Sequence, residues 1–315
     1  MKGMAILVLL ATAVQLSAFG QGALTPPGPP GPTFKTLTEV ELRTPVTNLP
    51  YTISVAGSYY LATNLMGGAN TTGVVVQADN VSVDLNGFAI IGAGGSVGPG
   101  IFVSGSRANL SVRNGAVRDW GNDGVSAVSA VNAQFERLVI SGNSSNGLVC
   151  GLNSQIVQCA ARLNGRDGIR CVQGSLVKNC LAISNSLNGV SVVNLAGQGS
   201  PGTIVTACVL NNNGGAGLSA GFNSLVTENE CAGNLIGINM TSSRGRFERN
   251  NLIDNGFGLS LGLGSRSNVV VCNSASGNVT NYNFGGTDHL IGPTNNLVVA
   301  GGVITNTNPW ANFSQ

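Results

Sequence analysis

The chain has 315 residues, of which 9% are charged, 5% are aromatic and 46 are glycine, and its formal net charge is +2. This composition excludes a disordered chain, which needs high charge, and an ordinary helical protein, which needs Leu, Glu and Lys in bulk. A charge near zero without a basic stripe also argues against nucleic acid and anionic membrane surfaces as partners. We therefore expect an all-β chain of turns and short strands.

Residues 1–20 have the pattern of a secretory signal peptide. Lys2 provides the positive charge, Met4 to Val14 forms an apolar run, and Ala18-Phe19-Gly20 offers small residues for cleavage after Gly20. A buried or membrane helix is the alternative, but the run is too short to span a bilayer, and no later segment approaches a span. The sequence thus predicts a secreted protein, extracellular or periplasmic, without a transmembrane segment.

Two segments lie between the predicted signal peptide and the repeats. Residues 21–34 form a Pro/Gly-rich linker that favours extended polyproline II structure. Residues 35–72 are interpreted as an N-terminal cap with the first strands. Within them we predict a short helix from Thr36 to Glu41 and a strand from Ile53 to Leu65.

Residues 73–290 contain internal repeats, each opened by a glycine. The intervals between successive opening glycines run from 20 to 28 residues, and the longest carries an insertion around Leu195 to Gly202. The opening residues are Gly73, Gly100, Gly124, Gly147, Gly168, Gly189, Gly217, Gly237 and Gly258. Each repeat holds two or three short runs with period-two alternation, separated by turn residues, which is typical of a stacked solenoid. Leucine-rich repeats have a similar length, but their Leu spacing and helical segments are missing.

Stacking these repeats places like residues in columns. Two inward columns follow the opening glycines, and a third precedes a recurring Asn; their first members are Ile101, Val103 and Phe135. One polar column contains Asn143, Asn164, Asn185, Asn213, Asn234 and Asn255. Asn tolerates turn conformations and can form hydrogen-bonded ladders along a stack. Asp123, Asn146, Asp167 and Asn188 precede four opening glycines and are interpreted as turn formers in preference to ligands.

The repeat pattern resembles the right-handed parallel β-helix of the pectin-lyase-like superfamily. The opening is similar to a group of secreted bacterial β-helix repeat proteins, through Gly57-Ser58-Tyr59-Tyr60-Leu61 and Asn80-Val81-Ser82-Val83-Asp84-Leu85-Asn86-Gly87-Phe88. Further support comes from Val112-Arg113-Asn114-Gly115 and from the closing Asn273 to Asn278. The resemblance implies a β-helix of roughly 10–11 coils. Residues 291–315 would form its C-terminal cap, with strands at Leu297 to Ala300 and Gly302 to Ile304 and with Trp310 and Phe313 closing the last layer.

The resemblance also implies where a site would lie, on the outward face of the first strand of each repeat. Of sixteen outward positions on that face, one is charged, Arg170, and none is a carboxylate. A calcium-dependent lyase needs several carboxylates around the cation, so no cofactor is predicted, and calcium belongs only to the lyase alternative. The one histidine, His289, lies beyond the repeats and is interpreted as incidental.

The charged side chains that could form a site cluster in the turns. Asp119, Asp123, Asp167 and Arg170 are weak catalytic candidates, because Asp119 and Asp123 could meet the separation of a glycosidase acid pair. Arg118, Trp120, Arg162 and Arg166 are weak ligand-binding candidates. The alternatives are that Trp120 packs over the coil edge and that the arginines are solvated surface charges; these are favoured.

Seven cysteines all lie at or after residue 150, spaced at the repeat length. Cys150 and Cys171 share one column, and Cys159, Cys180 and Cys208 share another. The spacing favours buried small apolar residues, with a disulfide between coils as the alternative. Metal binding would require Cys-x-x-Cys or a nearby His, so no metal site is predicted.

Two functions remain open. The first is a non-catalytic exported scaffold that binds polysaccharide or another cell-surface component along a coil face. The second is a carbohydrate-active enzyme, either a polysaccharide lyase or a glycoside hydrolase, which the family supports more than the residues do. The oligomeric state does not follow from the sequence.

Overall fold

The computed structural model describes residues 41–93, 97–195, 201–296 and 307–315. Every regular element in these residues is a β-strand, and none of them is helical. Leu42–Gln315 forms one compact unit, and the remaining unit, Met1–Glu41, lies outside the described residues except for Glu41. The compact unit is a parallel β-helix of about 10 turns, as the repeats predict. No helix of the described part is long and apolar enough to cross a membrane.

The first strands of successive coils form an eleven-stranded parallel sheet, here called the front sheet. Its strands are Tyr51–Ile53, Val74–Val76, Ile101–Val103, Val125–Ala127, Leu148–Cys150, Ile169–Val172, Val190–Val193, Ala216–Ala220, Ile236–Met240, Phe257–Leu261 and Thr280–Phe284.

The other strands pair into two parallel stacks, which we call the second and third stacks. The second stack contains Thr44–Val46, Gly57–Leu61, Val81–Asp84, Gln155–Val157, Leu176–Lys178, Ile204–Thr206, Leu225–Thr227, Arg246–Glu248, Val269–Val271 and Leu290–Ile291. The third contains Leu65–Met66, Ala89–Ile91, Ala160–Arg162, Leu181–Ile183, Val209–Asn211, Glu230–Ala232, Asn251–Ile253, Ser274–Ser276, Thr294–Asn296 and Asn312–Ser314. The eight-residue strands Ser111–Arg118 and Gln134–Ser141 run through both stacks. Arg107–Ala108 and Ala130–Val131 form a separate two-stranded sheet.

The strand register confirms the predicted inward columns. The first column pairs Ile101, Val125, Leu148, Ile169, Val190, Leu218, Ile238 and Leu259 in succession, and each of these side chains is fully buried. The longest interval also keeps register, because Ser191 pairs with Ser219. The insertion therefore leaves the stack unbroken; its residues 196–200 lie outside the described residues. Burial of these aliphatic columns supplies the main stabilisation, since one coil alone cannot cover its apolar face.

Several predicted elements differ from the structure or lie outside it. The single strand from Ile53 to Leu65 is wrong, because the chain turns twice there and forms three strands. The predicted helix from Thr36 lies outside the described residues except for Glu41, as do the signal peptide, the linker and the strands between 297 and 304. Phe313 does lie in the last strand, where it pairs with Ser274. Trp310 does not close the last layer, because 52% of it is exposed.

Candidate functional site

The corner that leads into the front sheet is built on a ladder of buried asparagines. Each Asn Nδ2 donates to the Oδ1 of the Asn in the next coil, at 2.9–3.1 Å, from Asn143 through Asn255 to Asn278. The same Oδ1 atoms also accept backbone N–H groups. The ladder predicted from the sequence is thereby confirmed, and it links the turns of successive coils at this corner.

A second ladder beside it contains two of the predicted catalytic acids. The Nδ2 groups of Asn146 and Asn188 donate to Asp123 Oδ1 and Asp167 Oδ1, each at 2.9 Å. The Asp167 backbone N–H in turn donates to Asn146 Oδ1 at 3.2 Å. Both carboxylates are buried, Asp167 with only 2% exposed. All four residues therefore take part in hydrogen bonds between the turns of neighbouring coils.

Arg170 joins this ladder at the edge of the front sheet. Its Nη1 lies 3.7 Å from Asp167 Oδ2, while the guanidinium stays partly exposed on the outward face. The structure therefore brings together three of the predicted residues: Asp123, Asp167 and Arg170. The two carboxylates stand two coils apart, which corresponds to about 10 Å at the usual strand spacing.

The remaining acidic candidate belongs to an exposed ion pair. Arg118 Nη1 lies 2.5 Å from Asp119 Oδ2, and about half of each side chain is exposed. Asp119 has a φ of +64°, a turn conformation that Asp tolerates. An exposed pair of this kind adds little to stability. The exposed half of each side chain can be reached by a ligand.

Trp120 is a core residue, which corrects its assignment as a ligand-binding candidate. The side chain is fully buried, and its Nε1 donates to Ile90 O at 3.3 Å. The ring packs so closely on neighbouring coils that a Cβ added at Gly67, Gly73 or Gly100 would lie 2.5–2.9 Å from it. A ring without an exposed face cannot stack on a sugar, and the alternative of packing over the coil edge is the one observed.

Arg162 and Arg166 are exposed on the same corner. Arg162 ends the strand Ala160–Arg162, and Arg166 is held in the following turn by its N–H, which donates to Ser145 O at 3.0 Å. Within the described residues neither guanidinium forms an ion pair. They remain candidate cations for an anionic ligand.

The outward face of the front sheet also carries an exposed aromatic side chain, Phe102. It is 38% exposed and aligns through Ser126 and Val149 with Arg170, three coils along the same column. Phe102 was not predicted as a site residue, because the prediction for this face rested on charged side chains alone. Its signal was available, because Phe102 is the one aromatic residue among the sixteen outward positions.

The His289 ring is held in place by hydrogen bonds to backbone groups. Its Nδ1 accepts the Asn268 N–H at 3.2 Å, so Nε2 carries the proton and donates to Gly285 O at 2.8 Å. Both ring nitrogens are thus occupied by backbone groups, and the imidazole connects two loops.

Six of the seven free cysteines are buried in the core, and Cys272 is partly exposed. Burial raises the pKa of Cys150 to about 12 and also raises the pKa of Cys171 and Cys231 well above the usual thiol range. Thiols with raised pKa values are poor nucleophiles. In the described part of the chain no cluster of three or more His, Cys, Asp or Glu residues could hold a metal ion.

Comparisons with known proteins agree on the fold. No family model matches the chain, and no curated protein matches it. Among solved structures, the A-module of mannuronan C-5 epimerase AlgE4 from Azotobacter vinelandii matches with a TM-score of 0.57 and 14% identity, over 78% of this chain and 89% of that one. The AlgE6 A-module from the same organism gives 0.55 and 14%, over 78% and 87%. The Dettilon tailspike protein gives 0.57 and 11%, over 86% of this chain and 60% of that one. The matched proteins are right-handed β-helices, and at this identity the likeness concerns the fold alone.

Proposed function

We propose that this chain is an exported, non-catalytic β-helix scaffold that binds a polysaccharide along the outward face of its front sheet. The observation that carries the proposal is the column in which exposed Phe102 and partly exposed Arg170 are separated by Ser126 and Val149. At the usual strand spacing they stand about 14 Å apart, a distance that several sugar units of one chain would span. The ring can stack on a sugar face, and the guanidinium can pair with an anionic substituent.

The state of the nearby acids supports binding over catalysis. Asp123 and Asp167 each accept a hydrogen bond from an Asn side chain, and both are buried in the turn ladder. A general acid or base must reach the scissile bond with a proton to exchange. Carboxylates that hold neighbouring coils together are poorly suited to that task.

The comparisons support a polysaccharide as the ligand class. Two of the matched structures are mannuronan C-5 epimerases, whose names identify a polymer as their substrate. Mannuronan is accordingly the first ligand to test. Export through the predicted signal peptide is part of the same proposal, since such polymers lie outside the cytoplasm.

The test is affinity electrophoresis of residues 21–315 in gels that contain mannuronan, polygalacturonate or a neutral glucan. We expect retardation by at least one polymer, and an approximately 3- to 10-fold loss of affinity in Phe102→Ala, the size typical of one aromatic contact. Arg170→Gln should weaken binding of acidic polymers only. Arg137→Gln, an exposed arginine on another face, is the matched control. Binding that is unchanged in Phe102→Ala and Arg170→Gln would contradict the assigned surface.

A second candidate, a glycoside hydrolase or polysaccharide lyase, is favoured by one observation. Asp123 and Asp167 lie on one edge two coils apart, which is about 10 Å at the usual strand spacing and just above the carboxyl separation of about 6.5 to 9.5 Å in an inverting acid pair. Reducing ends and unsaturated products should be measured on the same polymers, with and without calcium, which only a lyase would require. Turnover that disappears in folded Asp123→Asn and Asp167→Asn, but persists in Asp119→Asn, would replace the scaffold proposal with this one.

A further inference from the structure

The two tryptophans of the chain have opposite environments. Trp120 is fully buried, whereas 52% of Trp310 is exposed. Trp310 lies near the C-terminal end of the β-helix and is not part of the front sheet. An indole exposed to this extent gives up about half of the burial free energy that the largest apolar side chain could contribute. A fixed exposed tryptophan is therefore a candidate contact for a ligand.

Trp310 is held in place by the residues around it. Its backbone N–H donates to Asn308 Oδ1 at 2.9 Å, and Cys272 Sγ donates to Pro309 O at 3.0 Å. Two residues later, Asn312 is fully buried, and its Nδ2 donates to Val270 O and Gly292 O at 3.1 Å. The ring is thus presented by an anchored turn, which lowers the entropy lost when a ligand binds.

A positively charged group lies beside the ring. The Arg246 guanidinium carbon is 6.0 Å from the Trp310 ring centroid, at the limit of a cation–π contact. Arg246 Nε lies 2.7 Å from Glu248 Oε2, and Arg249 Nη1 lies 3.4 Å from Glu248 Oε1. Two guanidinium groups against one carboxylate leave a net positive charge on residues 246–249, the strand and the residue that follows it. Glu248, with a 13% exposed side chain, fixes the plane of the Arg246 guanidinium.

We propose that Trp310 and Arg246 form a binding site for an acidic sugar residue, separate from the front sheet. The apolar C–H face of the sugar stacks on the indole, and its carboxylate pairs with the Arg246 guanidinium. Glu248 orients that guanidinium, and Arg249 offsets the Glu248 charge, so that the site attracts an anion. The site needs no contribution from Phe102 or Arg170 and does not depend on the function proposed for the front sheet.

The test uses intrinsic fluorescence, because only one of the two tryptophans is exposed. Acrylamide, a neutral quencher, reaches Trp310 and leaves buried Trp120 largely unaffected. A mannuronate hexasaccharide should lower the Stern–Volmer quenching constant of residues 21–315 at least twofold, with saturation. A neutral cellohexaose at the same concentration should have a much smaller effect. No protection by the hexasaccharide at millimolar concentration, or equal protection by both sugars, would overturn the proposal.

Three variants define the site further. Titration calorimetry should show at least fivefold weaker hexasaccharide binding at this site in Trp310→Ala and in Arg246→Gln, with no change in Arg137→Gln. The quenching protection should also be lost in Arg246→Gln, whose thermal unfolding checks that the chain is folded. The double variant Phe102→Ala, Arg170→Gln should keep the protection, which separates this site from the front sheet. Protection that persists in Arg246→Gln, or is lost in the double variant, would contradict the assignment.

Discussion

Asp84 is the most extensively bonded carboxylate in the described part of the chain. Its Oδ1 accepts from Asn86 N and Asn114 Nδ2 at 3.0 and 3.2 Å, and its Oδ2 lies 3.1 Å from Arg113 Nε and 3.5 Å from Arg43 Nη1. Burial opposes ionisation, but the hydrogen bonds from Asn86, Asn114 and Arg113 outweigh it and lower the pKa of Asp84. The network joins neighbouring coils near the N-terminal end of the solenoid.

Because the folded-state pKa of Asp84 lies below its unfolded value, its ionised form stabilises the fold at neutral pH. That stabilisation is complete above the unfolded pKa, near 4, and is lost as pH falls through the folded pKa. Asp84→Asn should therefore lower the free energy of unfolding by about 1–3 kcal/mol at pH 7. The difference from the parent should shrink below pH 4. Urea unfolding at pH 7 and pH 3 measures both values, and a difference that is constant with pH would contradict the assignment.

One column of turn residues contains both Cys and Asn, and both residue types donate the same hydrogen bond. The Sγ atoms of Cys159, Cys180 and Cys208 donate to a backbone carbonyl of the preceding coil, at 3.5–3.7 Å. The next members of the same column are Asn229, Asn250, Asn273 and Asn312, whose Nδ2 atoms donate to the equivalent carbonyls at 2.9–3.1 Å. The cysteine column therefore ends where a further asparagine ladder begins, which runs from Asn229 to Asn312 and is called the Asn229 ladder.

This equivalence predicts that Cys208→Asn is tolerated. The Cys208 N–H already donates to Asn229 Oδ1 at 3.0 Å, so a new amide there would extend the ladder by one coil. We expect its unfolding free energy to stay within about 1 kcal/mol of the parent, or to rise. Cys171→Asn is the matched control, since Cys171 lies inside the strand Ile169–Val172 among apolar side chains and would leave an amide unpaired, at a cost of about 1–3 kcal/mol. Equal destabilisation by both changes would contradict the equivalence.

At the scale of one strand and its turn, the glycine that opens each repeat leaves room for the Asn ladder and for the backbone of the next coil. A Cβ added at Gly168 would lie 2.6 Å from Asn185 Nδ2 and 2.8 Å from Gly189 O. Neither atom can move without breaking a ladder or strand hydrogen bond. The glycine is therefore required by a close approach of neighbouring coils.

Gly168→Ala should lower the free energy of unfolding by about 2–4 kcal/mol, because overpacking and a broken ladder bond add together. Gly264→Ala is the matched control, since a Cβ there would meet nothing within 4 Å. Its effect should stay within about 0.5 kcal/mol. Thermal unfolding of the two variants and the parent provides the comparison, and an equally mild effect at Gly168 would show that neighbouring coils can separate at no cost.

The sequence predicted elements wherever one chemistry repeats without change. The Asn143 column keeps one residue type through six coils, so its ladder could be read directly. The Asn229 ladder was missed, because its column holds Cys in the preceding coils and its donor changes from Sγ to Nδ2. Trp120 and Trp310 also could not be separated by pattern alone. Each occurs once, and their burial depends on small residues in other coils, such as Gly73 and Gly100 around Trp120.

Over the whole molecule, the repeat period was sufficient to predict the fold but not the position of a binding site. Columns of identical contacts specify stacking, since each coil contacts only its neighbours. A binding site instead depends on single departures from the repeat, such as Phe102 among small outward residues and Arg170 among neutral ones. Such single residues do not follow the repeat. Whether they are exposed is known only from the three-dimensional arrangement of all the coils.

The same nearest-neighbour coupling predicts how the solenoid opens. Asn312 ends the Asn229 ladder, where its Oδ1 accepts hydrogen bonds from Asn273 N and Nδ2 at 3.0 and 3.1 Å. Asn312→Ala removes these bonds and so weakens the attachment of the last strand, Asn312–Ser314, to the coil before it. Amide hydrogen exchange should therefore accelerate at least tenfold in Ser274–Ser276 and Thr280–Phe284, because local opening is easiest at a solenoid end.

The matching control lies in the middle of the first ladder. Asn185→Ala removes equivalent bonds, but coils cover it on both sides, so its effect should centre on Ile169–Val172 and Val190–Val193. In neither variant should exchange change in Tyr51–Ile53, at the other end of the front sheet. Uniform acceleration along the whole chain in Asn312→Ala would mean that the β-helix unfolds as one cooperative unit. Acceleration confined to the last coils would mean that each coil is stabilised by its neighbours alone.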